Sequence, residues 1–153
     1  MLKSLGVRNV RRKDQEKILE ISRPYLAAYG DDFFPTDEMH LRRTFTQLLS
    51  NMPYFRLVTL DGIPVAWLAA RESSPHPYSP VRCLTQTFFH SCVEGLLSVR
   101  VLQVAHDDLL EYAASERFAV VYSSSFLDNK DVFYRVLQKA GWTITPLGAL
   151  KKV

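Results

Sequence analysis

The sequence is poor in cysteine, because its 153 residues contain only two, Cys83 and Cys92. Neither belongs to a CxxC pair, and two thiols do not make a disulfide framework, so we expect reduced thiols in a reducing compartment. An apolar run long enough to cross a bilayer is also missing. The first residues turn basic and polar within a few positions, without the apolar segment of a signal peptide. We therefore expect a cytoplasmic protein that is not secreted by a signal peptide and has no membrane partner.

Charge of one sign does not dominate the chain, whose formal net charge is +3. Basic residues gather near both ends, at Arg8, Arg11, Arg12, Lys13, Lys151 and Lys152. Aromatic residues that could stack on bases are absent from these groups, so the pattern favours a solvated surface over a nucleic-acid site. The hydrophobic fraction of 47% and the charged fraction of 23% are typical of a soluble globular protein. We expect one domain over residues 1–153.

The first half of the chain predicts one strand, two helices and a hairpin. GVRNVRR alternates as a strand does, and Asp14 supplies an acceptor for a helix start, although Pro24 should kink or end that helix. Thr36 is the expected cap of a second helix. Asp61-Gly62 stands between two β-branched runs, which is a strong hairpin signal, so Tyr54 to Leu60 and Ile63 to Arg71 should pair as antiparallel strands.

The second half begins with a loop, ESSPHPYSP, and then alternates strands with helices. We expect a strand from Cys83 to about Ser91, a long amphipathic helix from Ser98 to Glu116, and a buried strand in FAVVYSSS. His106 to Asp108 (HDD) is interpreted as a solvated turn of the long helix. Asp128 should cap a last helix, and Gly141 should end it. The apolar face of that helix is Val132, Phe133, Val136, Leu137 and Ala140. WTITPLGAL is expected to be a single final strand.

This order of elements resembles the GNAT superfamily of acyl-CoA-dependent N-acyltransferases over nearly the whole chain. The most specific part is SSSFLDNKDVFYRVLQKAGWTI, in which Asn129, Gly141 and Trp142 stand where the family has a helix led by Asn and ended by Gly and an aromatic residue. The DGIPVAW hairpin is similar to the family's second and third strands. The resemblance implies a mixed α/β (α+β) fold with a mostly antiparallel sheet and helices on both faces. A shared fold does not by itself establish a shared activity.

The resemblance also implies a phosphate-binding loop of pattern [QR]-x-x-G-x-[GA] for the acyl-CoA. It aligns best with residues 92–97, CVEGLL, where Gly95 matches but Cys92 replaces the basic or amide residue. Leu97 fills a position that favours no side chain, and Glu94 adds a negative charge beside the phosphates. If the site is competent, the residues that would bind the cofactor are Gly95, Leu97, Ser98 and Asn129. If the loop has degenerated, no cofactor is expected.

Catalytic groups are hard to identify. The family's tyrosine acid corresponds to Leu137, while Tyr134 lies one turn earlier and is more typical of a core aromatic residue. The predicted fourth strand contains no acid, which leaves His90 as the titratable candidate for a base. A lone histidine is more often packed or hydrogen-bonded than catalytic. A metal or thiol site built from His90 and Cys92 would have no further ligands at recognised spacing, so we expect no metal.

Three functions remain open. The first is a non-catalytic structural or assembly protein, because GNAT-like chains with degenerate loops resemble small internal or head-tail connector virion proteins of short-tailed bacteriophages. It would bind other protein subunits and be assembled into a virion, with contacts at Glu72 to Val81, at Asp31 to Pro35 with Phe33 and Phe34, and at the C-terminal tail. The second is an active N-acetyltransferase that uses acetyl-CoA and an amine. The third, a nucleic-acid-binding module, is the least favoured.

Overall fold

The computed structural model describes residues 3–27, 37–125 and 130–153. In these ranges a 3-10 turn at Arg12–Asp14 accompanies seven strands and four helices. The strands are β1 Leu5–Asn9, β2 Tyr54–Leu60, β3 Ile63–Glu72, β4 Cys83–Ser91, β5 Val120–Ser123, β6 Thr143–Thr145 and β7 Gly148–Lys152. The helices are α1 Gln15–Ala27, α2 Glu38–Asn51, α3 Gly95–Ser115 and α4 Lys130–Lys139.

The strands form one sheet in the order β1-β2-β3-β4-β5-β7-β6. Every neighbouring pair is antiparallel except β4 and β5, which run parallel. Helices α1 and α2 pack on one face of the sheet, and α3 and α4 pack on the other. The predicted fold class is therefore confirmed.

Alternation along the central strands creates a core on each face. In β2, Phe55 and Leu57 face α1 and α2, whereas Tyr54 and Val58 face α3. The cluster on the α3 side is the larger, and it includes Leu68, Val101, Leu109, Val121 and Leu137, each 1% exposed or less. Complete burial of such a side chain contributes about 1.5–3 kcal/mol, so the α3 face supplies much of the stability.

The predicted hairpin and the glycine that ends the last helix are confirmed. Asp61 and Gly62 both have positive φ, 51° and 83°, as the two central residues of a type I′ turn require. The β2–β3 register joins Tyr54 to Ala70 at one end and Leu60 to Ile63 at the other. Gly141 has φ 92° and follows α4, as expected for the residue that ends a helix.

The prediction of a single final strand was wrong, because WTITPLGAL folds as a hairpin of β6 and β7. The side chain of Thr145 accepts the N–H groups of Leu147 and Gly148, each at 3.3 Å, and closes the turn. Strand β7 then lies between β5 and β6. The C-terminal tail therefore belongs to the sheet, with Lys152 and Val153 exposed at its end.

Several helix ends also differ from the predictions. Helix α1 continues through Pro24 to Ala27, at the cost of the hydrogen bond that a proline nitrogen cannot make. The cap of α2 is Asp37, whose carboxylate accepts the N–H of Met39 at 2.8 Å. Asp14 does not cap α1: its buried carboxylate pairs with Arg8 and accepts the N–H of Arg11. Thr36 and Asp128 lie outside the described residues.

Helix α3 begins at Gly95 and ends at Ser115, three residues earlier and one residue earlier than predicted. Strand β1 ends at Asn9, before the basic residues Arg11 and Arg12. Within the described ranges, none of the helices combines the length and the apolar character needed to span a membrane.

Candidate functional site

A cavity opens where β4 and β5 separate. The two strands pair only from Cys83 with Val120 to Thr85 with Tyr122, after which β4 continues to Ser91 and β5 ends at Ser123. A cavity of about 470 Å³ lies between them, walled by β4, the beginning of α3 and the inner face of α4. We call this space the cleft. Beyond the last pair, the facing backbone groups of the two strands no longer bond to each other.

A β-bulge at Thr87 decides which side chains of β4 reach each face. Ala69 pairs with Phe88 and Ala70 pairs with Gln86, so Thr87 has no partner in β3. A strand without a bulge would place Gln86 and Phe88 on the same face. Here Gln86 faces α3, whereas Phe88 packs with the α1 and α2 cluster. The bulge thus gives the cleft a polar group on one side and an aromatic wall on the other.

His90 belongs to that aromatic wall. Its ring lies 4.2 Å from the ring of Tyr25, centroid to centroid and almost parallel, and 4.7 Å from the ring of Trp67. The Nδ1 atom is buried and has no hydrogen-bond partner within the described ranges. Burial lowers the pKa of His90 to about 4, so the ring is neutral at pH 7 and is a weak base.

Tyr25 is a cleft residue that the sequence did not reveal. Its hydroxyl donates to the carbonyl oxygen of Ser91 at 3.0 Å and accepts the N–H of Ser91 at 2.9 Å. Burial raises the pKa of this hydroxyl, which therefore stays protonated. The two bonds anchor α1 to the end of β4, where the strand leaves the sheet.

The start of α3 forms the mouth of the cleft. Glu94 is the N-cap residue, and its side chain makes no capping hydrogen bond. Gly95 follows with φ 65°, and Ser98 donates its hydroxyl to the carbonyl oxygen of Gly95 at 2.7 Å. All three residues line the cavity. Asn129, the fourth candidate from the resemblance, lies outside the described residues.

Leu97 does not stand in the cleft. Its side chain is half-buried and packs against the core cluster on the α3 face, and it is not one of the residues that line the cavity. The expected steric obstacle to a ligand is therefore absent, although the Glu94 carboxylate still opposes an anion at this helix end.

Tyr134 lies on α4, next to the end of β5. Its hydroxyl accepts the N–H of Ser125 at 3.2 Å, and its ring makes an edge contact with Phe133 at 5.4 Å between centroids. Leu137, the position that the resemblance aligns with a catalytic tyrosine, is 1% exposed in the core. Val132, predicted on the apolar face of this helix, is 50% exposed and lines the cleft.

A buried polar chain supports the base of the cleft. His106 is 2% exposed, so the prediction of a solvated turn at His106 was wrong. Its Nδ1 lies 2.9 Å from the carbonyl oxygen of Leu102, and its Nε2 lies 2.9 Å from the hydroxyl of Ser123. That hydroxyl donates to Oε1 of Gln86, which also accepts the N–H of Ser124 at 3.3 Å. Burial lowers the pKa of His106 to about 4.

Metal or thiol chemistry finds little support in the described part of the chain. Both cysteines are free thiols, with Cys83 buried and Cys92 exposed. Within the described ranges, the His, Cys, Asp and Glu side chains form no group of three or more that could hold a metal ion. Burial raises the pKa of the Cys83 thiol, which makes it a poor nucleophile.

Comparisons with known proteins identify the fold. No protein-family model matches the chain, and no curated protein does. Among solved structures, Ard1 from Thermoplasma volcanium is 17% identical with a TM-score of 0.67, and each chain is covered over 97% of its length. An N-acetyltransferase from Staphylococcus aureus Mu50 is 11% identical with a TM-score of 0.70, covering 97% of this chain and 98% of its own.

A third solved structure is the PaiA N-acetyltransferase from Thermoplasma acidophilum in complex with coenzyme A. It is 10% identical to this chain, with a TM-score of 0.66, and the match covers 98% of this chain and 99% of that one. Identities this low establish a common architecture and leave the activity open. The chain has the fold of the GNAT N-acetyltransferases.

Proposed function

We propose that the protein is an N-acyltransferase that binds an acyl-CoA thioester, acetyl-CoA in the simplest case, in the cleft and transfers its acyl group to an amine. The cleft is the observation that carries the proposal. Its two strands separate after three residue pairs and expose backbone groups that the amides of an extended acyl-CoA arm can bond. The cavity of about 470 Å³ is within the usual range for small-molecule sites.

Acyl transfer in such a cleft places few demands on ionisable side chains. The amine nitrogen attacks the thioester carbonyl carbon, the C–N bond forms, the C–S bond breaks, and the thiolate takes up the proton that the amine loses. Holding the two reactants together in a site that excludes water supplies much of the acceleration. The chain therefore needs groups that position and shield the reactants more than it needs a strong base.

Several described residues could position the reactants or transfer a proton. His90 lines the cleft as a neutral ring, but its Nδ1 is sealed from a ligand, and a group with a pKa of about 4 cannot efficiently remove the proton of the amine. Tyr134 is the candidate donor of a proton to the departing thiolate, because its hydroxyl lies beside Ser125, a residue of the cleft wall. Gly95 and Ser98 would bind near the diphosphate, where Glu94 weakens the affinity.

The test is calorimetric titration of the purified protein with acetyl-CoA, followed by an assay of thiol release with a panel of amines. We expect saturable 1:1 binding and amine-dependent release of CoA. If neither acetyl-CoA nor CoA binds at millimolar concentration, the proposal is wrong.

A second candidate is a non-catalytic role in a larger protein assembly, such as a virion. Two observations favour it: the Glu94 carboxylate at the phosphate end of the cleft, and the buried Leu137 in place of an acid. The loop that contains Tyr78, which is 91% exposed, is then the natural contact surface. Phe33 and Phe34, the other proposed anchors, lie outside the described residues. Failure to bind CoA, together with capture of a defined partner subunit that a Tyr78→Ser variant loses, would favour this candidate.

A further inference from the structure

Gln86 occupies the point at which β4 and β5 separate. It is the residue of β4 directly after the last pair, Thr85 with Tyr122, and it directly precedes the bulge at Thr87. Its side chain is 4% exposed and lines the cleft. A polar side chain buried to this extent requires hydrogen-bond partners.

One end of the carboxamide has its partners within the protein. The N–H of Ser124 would bond to β4 if the two strands continued side by side, and it bonds instead to Oε1 of Gln86 at 3.3 Å. Because a backbone N–H can only donate, the atom that faces it must be the amide oxygen, which fixes the orientation of the carboxamide. The Ser123 hydroxyl donates to the same oxygen.

The other end of the carboxamide has no partner among the described residues. Within the described ranges, Nε2 of Gln86 donates to no protein acceptor, and it is not among the unpartnered polar atoms that are sealed away from the surface. Since the side chain lines the cleft, its two N–H donors are available to a ligand there.

Rigid groups hold this donor in place. Ser123 is fully buried, and behind it His106 is enclosed by the rings of Phe89, Phe133 and Trp142, with centroids 5.5–5.8 Å away. A donor fixed in a dry site stabilises developing negative charge more strongly than a mobile or solvated donor does.

We propose that the carboxamide nitrogen of Gln86 donates a hydrogen bond to the carbonyl oxygen of the acyl thioester, with Ser123 and His106 as positioning residues. This inference rests on the function proposed above and identifies the residue that recognises the acyl carbonyl. When the amine attacks, the carbonyl oxygen becomes negative, and the Gln86 bond strengthens as the C–N bond forms. The charge returns to the carbonyl when the C–S bond breaks. Loss of one such donor typically lowers kcat about 10²–10³-fold.

The decisive variant is Gln86→Glu, studied at pH 8. The carboxylate can still accept from Ser124 and Ser123, so the structural role is kept, but the two N–H donors are lost. We expect the variant to fold and to bind CoA, which lacks the carbonyl, within about threefold of the native protein. We also expect it to lose about tenfold in affinity for acetyl-CoA, which corresponds to one hydrogen bond to a polar ligand atom, and about 100-fold in kcat. Gln47→Glu, an exposed substitution on α2, is the control.

A second readout examines the bond itself. The carbonyl stretch of bound acetyl-CoA labelled with ¹³C at the thioester carbon should lie at lower frequency in the native protein than in Gln86→Met. Equal losses of CoA and acetyl-CoA affinity, or an unchanged stretch, would show that Gln86 is only structural while the proposed function stands. Absence of all CoA binding in the native protein would overturn both.

Discussion

The imidazole of His90 stacks on the phenol ring of Tyr25, with centroids 4.2 Å apart and planes 5° from parallel. Tyr25 comes from α1 and His90 from β4, so the stack joins the first helix to the strand that borders the cleft. The Tyr25 hydroxyl adds two bonds to the backbone of Ser91. One side chain thus holds the end of β4 by its ring and by its hydroxyl.

Tyr25→Phe separates these two contributions. The stack is kept, but both backbone groups of Ser91 lose their partner, so we expect a loss of about 1–2 kcal/mol in the free energy of unfolding. Urea denaturation measures the change. Tyr25→Leu, which also removes the stack, should lose more, and equal losses in the two variants would contradict a separate role for the hydroxyl.

Acidification should destabilise the protein. Burial lowers the pKa of His90 and of His106 from 6.5 to about 4. Between these values the unfolded chain binds more protons than the folded one, so stability is complete above about pH 6.5 and falls as the pH approaches 4. Each histidine contributes a slope of up to roughly 1.4 kcal/mol per pH unit. His90→Phe keeps an aromatic ring in the stack and should remove the part of this pH dependence that His90 contributes. An unchanged slope of unfolding free energy against pH would argue against a buried neutral His90.

Removal of the charge at the cleft mouth should strengthen binding of acetyl-CoA. Glu94→Gln eliminates a carboxylate beside the start of α3, where the helix dipole favours anions, and we expect roughly a two- to fivefold lower Kd. The gain should shrink in high salt, since the residue is exposed. Glu111→Gln, an exposed substitution near the other end of the same helix, is the matched control. If Glu94→Gln and Glu111→Gln have the same Kd for acetyl-CoA, the mouth of the cleft does not bind the diphosphate of the cofactor.

Leu97→Gly should weaken the fold without improving the ligand site. The Leu97 side chain packs on the core, so its removal and the added helix flexibility should together cost about 2–4 kcal/mol. Acetyl-CoA affinity of the folded fraction should stay within a factor of two. A large gain in affinity would mean that Leu97 obstructs the cleft after all.

Tyr134→Phe tests the proposed proton donor. If the hydroxyl protonates the departing thiolate, kcat should fall about 10²-fold while the Kd for acetyl-CoA stays nearly constant. Single-turnover and equilibrium measurements separate the two effects. A parallel loss of binding and turnover would instead indicate that Tyr134 only supports Ser125.

The sequence predicted the elements whose signals are local. Asp61 and Gly62 gave the hairpin because a type I′ turn needs two positive φ values, and the apolar run of FAVVYSSS gave the buried strand. The final hairpin was missed although Pro146 and Gly148 mark a turn inside WTITPLGAL, which the Thr145 side chain closes.

The site was harder to predict, because its residues meet through tertiary contacts. His106 looked solvated because two aspartates follow it, yet its ring lies beside the hydroxyl of Ser123, which is remote in the sequence. Gln86 did carry a signal, since it is the one amide side chain in β4, but only the bulge at Thr87 determines the face on which it lies. Leu97 was misplaced for the same reason, since loop spacing alone does not define the direction of a side chain.

The short pairing of β4 with β5 also has a consequence for how the protein unfolds. Three residue pairs are the only backbone ladder described between the four N-terminal strands and the three C-terminal ones, although α3 and α4 share a core across them. The C-terminal strands are therefore positioned to open as a separate foldon, with faster amide hydrogen exchange than β2 and β3. A ligand that forms hydrogen bonds with both β4 and β5 would link the two parts of the sheet a second time. It would therefore slow amide hydrogen exchange in the C-terminal strands, far from the atoms that it contacts.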